Sequence, residues 1–277
     1  MCVCTTRLFR PDARAAASPR GLEETLGYRV ASRQLGNSAT RQRGNAATLI
    51  RYQAVTDSLA HVKSDVIACA RCQRLVHWRE QVAVEKRAAY RDEAYWGKPV
   101  PGFGDGRARL VVVGLAPAAH GGNRTGRIFT GDRSGDWLYR AMYRAGFASQ
   151  ATSTHCDDGL HLIDAYVTAA VRCAPPGNRP ESEERRACAP FLDRELALLT
   201  QRRVVVALGG FAAESVAGSL GLRPRPQFAH GAEAALPDGG RLLCSYHPSQ
   251  QNTFTGRLTE PMFDAIFTRA RALLGES

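Results

Sequence analysis

Two residues stand where an acid and an imidazole could act on one substrate. Asp132 closes a run rich in Gly, Ala and Pro, residues 114–132. His247 follows a short apolar run and precedes Pro248, which fixes the turn. A carboxylate can steady positive charge or orient a water, and an imidazole can donate to a charge developing on a leaving group. Each also has a plain structural use. Asp132 precedes a helical pattern and is a good N-cap, and a lone histidine is most often structural. Phe129 stands three residues before Asp132, so an aromatic face and an acid close the same loop. That loop lacks the Gly-Lys-Ser/Thr ending of a nucleotide-binding loop and the Rossmann glycine spacing, which argues against a nucleoside triphosphate or dinucleotide.

Cysteine spacing supplies a second candidate chemistry. Cys69 and Cys72 form a Cys-x-x-Cys, and Cys173 and Cys188 lie 15 positions apart around a Pro-rich stretch. Four thiolates can hold an iron–sulfur cluster or a structural zinc ion, and spacing alone does not choose between them. Cys156 and Cys244 read as ordinary small residues, and Cys2 and Cys4 fall near the start of the chain.

The elements that must position these groups are legible as an alternation. Four apolar runs, 109–114, 165–172, 203–208 and 242–246, read as buried strands. Helical patterns fall at 82–95, 135–145, 183–199, 211–219 and 261–274. A short helix is expected to lead into Cys69. Strands alternating with helices imply an α/β fold, a three-layer α/β/α sandwich with a central four-stranded parallel sheet. Ligands bind such sheets outside the carboxyl ends of the strands. The loops that begin there start at Gly114, Cys173, Gly209 and His247, and three of them carry the unusual residues above.

The 277 residues carry 37 Lys and Arg against 26 acids, a net charge of +11. Such an excess fits an acidic partner, with nucleic acid the commonest. Residues 1–50 hold eight arginines and three acids with no apolar period. We therefore divide the chain into a disordered arginine-rich tail, 1–56, and one catalytic domain, 57–277. No window is apolar over the roughly 18 residues of a membrane helix, so no membrane role is expected.

The segments Gly-Leu-Ala-Pro-Ala-Ala-His-Gly (114–121), Gly-Arg-Ile-Phe-Thr-Gly-Asp (126–132) and His-Pro-Ser (247–249) together resemble the uracil-DNA glycosylase superfamily, most closely its iron–sulfur family 5. The resemblance runs from about residue 60 to the end. It implies a DNA repair enzyme that flips a damaged nucleotide into a pocket and hydrolyses its N-glycosidic bond. It also implies a [4Fe–4S] cluster on Cys69, Cys72, Cys173 and Cys188. The catalytic residues it implies are Asp132 by the sugar, His247 by the base oxygen, and Asn178 in the loop after Cys173. Phe129 would be the stacking platform, with Gly114, Ala116, His120 and Ala169 also lining the substrate pocket. DNA contacts would come from Arg124, Arg127, Ser249, Gln250, Phe254 and Arg257, with Phe254 as an apolar wedge in the minor groove. A monomer acting on bacterial nucleoid DNA in the cytoplasm is the implied setting.

Two departures bear on specificity. Residues 116–119, Ala-Pro-Ala-Ala, lack the polar catalytic residue of the superfamily's first motif, and Ala169 stands where family 4 has an asparagine that reads uracil. A roomier pocket accepting hypoxanthine or ethenocytosine as well as uracil follows. Two other function classes remain open from residues alone. One is a zinc-stapled nucleic-acid-binding module without catalysis. The other is a small-molecule hydrolase using Asp132 and His247.

Overall fold

The computed structural model describes residues 57–275; the expected tail, 1–56, lies outside them, as do Cys2 and Cys4. Strands β1 (Phe103–Gly104), β2 (Leu110–Gly114), β3 (Ala165–Ala169), β4 (Val204–Leu208), β5 (Glu233–Ala235) and β6 (Arg241–Ser245) form one sheet in the order β1-β3-β2-β4-β6-β5. The inner four, β3, β2, β4 and β6, are mutually parallel. They coincide with the four apolar runs. The sheet is nevertheless six-stranded, because β1 and β5 add antiparallel at the edges. Those strands are two and three residues long and not apolar, so periodicity gave no sign of them.

The inner strands are Val-rich because both faces of the sheet are covered. Alternate residues divide between two cores. Leu110, Val112, Val167, Val206 and Leu243 join one with α4 (Arg133–Arg144) and α8 (Glu260–Leu273). Val111, Val113, Val205, Ala207 and Cys244 join the other with α5 (Ser182–Leu198) and α6 (Gly210–Ser219). Three layers result.

A third, smaller core gathers the cysteines. α1 (Leu59–Ile67) contributes Val62 and Val66, and α2 (Gln73–Glu85) contributes Leu75 beside Cys173, Cys188 and Phe191. Arg74 of α2 makes a forked bond to Glu184 of α5 at 2.9 Å, and Arg194 of α5 grips Asp57 at 2.7 Å. α2 starts nine residues earlier than the expected 82–95 helix and ends at Glu85, where Lys86 takes a left-handed backbone (φ 53°). Only the short 3-10 turn Ala88–Tyr90 follows. Two short helices complete the described fold, α3 (Gly122–Thr125) and α7 (Gln250–Phe254).

Candidate active site

β2 and β6 both end at the same edge of the sheet, and each delivers one of the two chemical loops there. The first loop is folded tightly against the end of β2. Phe129 lies on Gly114: a Cβ on Gly114 would meet the Phe129 ring at 2.5 Å, so only glycine permits this approach. Phe129 itself has a left-handed backbone, φ 53°, a strain that an aromatic residue holds only where its surroundings impose it. Its ring is 5% exposed and packs against the His247 imidazole, with ring centroids 5.8 Å apart and planes 31° apart. Phe129 is thus not the open platform expected; its ring packs against that of His247.

Asp132 caps α4, accepting from the Gly135 N–H at 3.0 Å. The cap role and a chemical role therefore fall on the same carboxylate. A Cβ on Gly121 would sit 2.0 Å from Asp132 Oδ2, so the backbone of the first loop closes over the acid. Burial pushes the Asp132 carboxyl up to about 6, with Asp136 one turn on adding to the rise; the Gly135 and Ser134 N–H groups and Arg124 oppose it. Burial pushes His247 down to about 4, so its imidazole is neutral near pH 7. Asn252 of α7 donates its side-chain N–H to the His247 carbonyl at 2.8 Å and fixes the turn after β6.

Arg124 and Arg127, expected at a DNA surface, are instead 6% and 5% exposed and hold the first loop in shape. Arg124 bonds the His120 carbonyl at 2.8 Å and the Gly131 carbonyl at 3.0 Å, pairs with Glu93 and covers the Tyr90 ring. Arg127 forks onto Asp158 at 2.7 and 2.8 Å and reaches Ser153 and Thr130. A guanidinium satisfied by buried acceptors is not available to phosphate. His120 is half-buried beside Tyr95, whose hydroxyl lies 3.0 Å from His120 Nδ1. Ala169 is buried at the end of β3, in register with Gly114. Ala116 packs against the cysteine core. Asn178 is exposed in the turn Pro176–Asn178, with φ 56°.

The loop after His247 is the short helix α7, capped by Ser249, with Gln250 exposed. Phe254 is 67% exposed, and the Arg133 guanidinium covers its ring at 4.5 Å. Arg257 is exposed and stacks over Tyr246, also at 4.5 Å. Tyr95, Asn252 and Arg133 were not singled out from the sequence. Of these, only Asn252 carried a signal, as a polar residue inside the His-Pro-Ser loop.

Cys69, Cys72, Cys173 and Cys188 line one cavity with Leu75, Val76, Val171 and Phe191. The four positions, remote in sequence, are thereby brought together. Arg79 donates to Cys173 Sγ at 3.0 Å, and the Arg172 backbone N–H donates to Cys188 Sγ at 3.3 Å. Burial pushes Cys173 up to about 11 and Cys188 up to about 12. Thiolates there call for a strongly cationic occupant. Among the described residues no three Cys, His, Asp or Glu side chains are placed to share a single metal ion.

The sequence pattern of the uracil DNA glycosylase superfamily matches residues 101–271, from β1 through most of α8. The chain belongs to the uracil DNA glycosylase superfamily. Among its relatives is the type-5 uracil-DNA glycosylase of Mycobacterium tuberculosis, 53% identical over 222 residues that cover 79% of this chain and 82% of that one. The type-5 enzyme of Thermus thermophilus is 54% identical over 209 residues, covering 75% and 94%. A type-4 uracil-DNA glycosylase of Sulfurisphaera tokodaii is 29% identical over 166 residues, 60% of each chain. The matched span contains the segments 114–121, 126–132 and 247–249 and the second cysteine pair; Cys69 and Cys72 lie ahead of it.

Proposed function

We propose that this chain excises uracil, and also hypoxanthine and ethenocytosine, from DNA, leaving an abasic site as the first step of base excision repair. The observation that carries the reading is the meeting of Phe129 and His247 at the strand ends, with Asp132 closing the Phe129 loop. A flipped base lies along the Phe129–His247 edge. As the N-glycosidic bond lengthens, positive charge grows on the sugar and negative charge on the base. Neutral His247 donates a hydrogen bond to the base oxygen, where the charge develops. Ionised Asp132 stabilises the sugar cation or orients the water that attacks C1′. Asn178 reaches the substrate from the second loop, the one that begins at Cys173.

The absence of a polar reader at Ala169 and along 116–119 supports acceptance of several bases. DNA is gripped by Arg257, Ser249 and Gln250, with the Arg133–Phe254 stack entering the gap the flipped nucleotide leaves. The four cysteines that line one cavity, Cys69, Cys72, Cys173 and Cys188, supply the thiolate set a [4Fe–4S] cluster takes, and the resemblance to the iron–sulfur family favours that over zinc. Held there, a cluster would cross-link the turn before α2 to Cys173 after β3 and Cys188 of α5, a structural role, since hydrolysis needs no electron. The protein acts as a monomer on cytoplasmic DNA.

The test is a panel of duplex oligonucleotides bearing uracil, hypoxanthine or ethenocytosine, scored for alkali-labile sites. Cleavage at all three supports the broad pocket. Cleavage at uracil alone removes it, and cleavage at none removes the glycosylase reading. A brown protein with visible absorption supports the cluster; a colourless, zinc-loaded one refutes it.

A further inference from the structure

Arg79 sits two turns into α2, the helix that begins directly after Cys72. Its side chain is 5% exposed. Nη1 lies 3.0 Å from Cys173 Sγ and 3.3 Å from the Cys69 carbonyl, Nη2 lies 3.5 Å from the exposed Glu80 carboxylate, and Nε has no partner. A guanidinium so placed is costly to bury unless it faces negative charge. On the other side of the same residue, the Arg79 carbonyl accepts from Asn123 Nδ2 at 3.1 Å. Asn123 is fully buried, and its Oδ1 is without a partner. It belongs to α3, inside the first loop, two residues from the Gly121 that closes over Asp132. Ala116, at the start of that loop, packs on the cysteine core as well.

We infer that Arg79 and Asn123 join the cysteine centre to the catalytic loop. Arg79 stabilises the anionic sulfur of Cys173, and Asn123 ties the backbone of Arg79 to the loop that shapes the Asp132 slot. Both are positioning residues. The inference deepens the proposed function and rests on the iron–sulfur reading. Side-chain contacts of this kind around a metal centre commonly tune its potential and orient its neighbours.

Four holoproteins test it: wild type, Asn123→Ala, Arg79→Gln and Arg79→Lys. Each is measured for visible absorption, midpoint potential, and kcat and KM on a uracil duplex across pH. Asn123→Ala is expected to keep the wild-type spectrum and potential and to hold KM within about twofold. Its kcat falls about tenfold, as loss of loop geometry predicts. The acid limb of its pH profile moves down, because a loosened loop admits water to Asp132. Arg79→Gln is expected to lower the potential, since a buried positive charge favours the more negative, reduced centre. Arg79→Lys keeps that charge and restores the potential; it also decides the matter should Arg79→Gln fail to fold. An Asn123→Ala protein with wild-type kcat and pH profile overturns the inference. So does an Arg79→Gln or Arg79→Lys protein with a potential the opposite of these. A wild type without iron overturns the underlying cluster reading instead, and is seen before any variant is made.

Discussion

Asp132 serves two masters, and the conflict can be measured. As a helix cap it is favourable, but as a half-buried, desolvated carboxylate it is held at a pKa of about 6, against an ordinary 3.8. For an acid whose folded value is raised, the ionised form costs stability. The cost is fully present above about pH 6, fades as pH falls through that value, and is absent below the unfolded value near 3.8. Asn keeps the cap without the charge. Asp132→Asn should therefore be more stable than wild type at pH 8, by up to about 3 kcal/mol, with most of the difference gone near pH 4. Calorimetry at the two pH values checks this. His247, held down to about 4, does not titrate in the working range. The loss of kcat on the acid side should thus follow Asp132, with a midpoint near 6, and should persist in whatever activity His247→Ala retains. Between substrates, Asp132→Ala is expected to suffer more on hypoxanthine than on uracil, read as the ratio of kcat/KM values.

At the scale of elements, the cysteine pairs depend on a buried charge pair. Arg172 and Glu195 are each 1% exposed, 2.6 Å apart, with Thr168 and Tyr166 completing the network. Arg172 also donates its backbone N–H to Cys188. Glu195→Leu leaves the guanidinium buried without a counter-charge, held only by Thr168, and should cost about 3–5 kcal/mol in urea unfolding. Visible absorption should fall with it. None of this pairing was legible in the sequence, because residues 172 and 195 sit in different elements and no period links them. The parallel strands were legible, since burial on both faces leaves unbroken apolar runs. The edge strands were not, being too short to show a period. Asp132, His247 and the four cysteines stood out through residue type and spacing. Arg124 and Arg127 misled, because an arginine held by Asp158 or Glu93 looks the same in sequence as one free for phosphate. Phe254 is the reverse case: an exposed aromatic on a short helix, stacked by Arg133. Phe254→Ala should slow uracil release from paired duplex about tenfold while sparing single strands, where no gap must be held.

For the whole molecule, charge and cores separate. The described residues, 57–275, pack into three apolar cores, and a large part of the +11 charge falls in the first 50 residues of the sequence. Affinity for duplex DNA should fall steeply with salt, and a chain lacking residues 1–56 should show a shallower log–log slope with the same kcat. The claim on which all else depends is chemical and local: one slot at the ends of β2 and β6 holds the acid and the imidazole that break the glycosidic bond. Single-turnover uracil release from duplex DNA at saturating enzyme, by wild type, Asp132→Asn and His247→Ala, tests it most directly. The account predicts alkali-labile sites from wild type and a loss of about a hundredfold or more in each variant, with DNA affinity unchanged. Wild-type rates in both variants would contradict it.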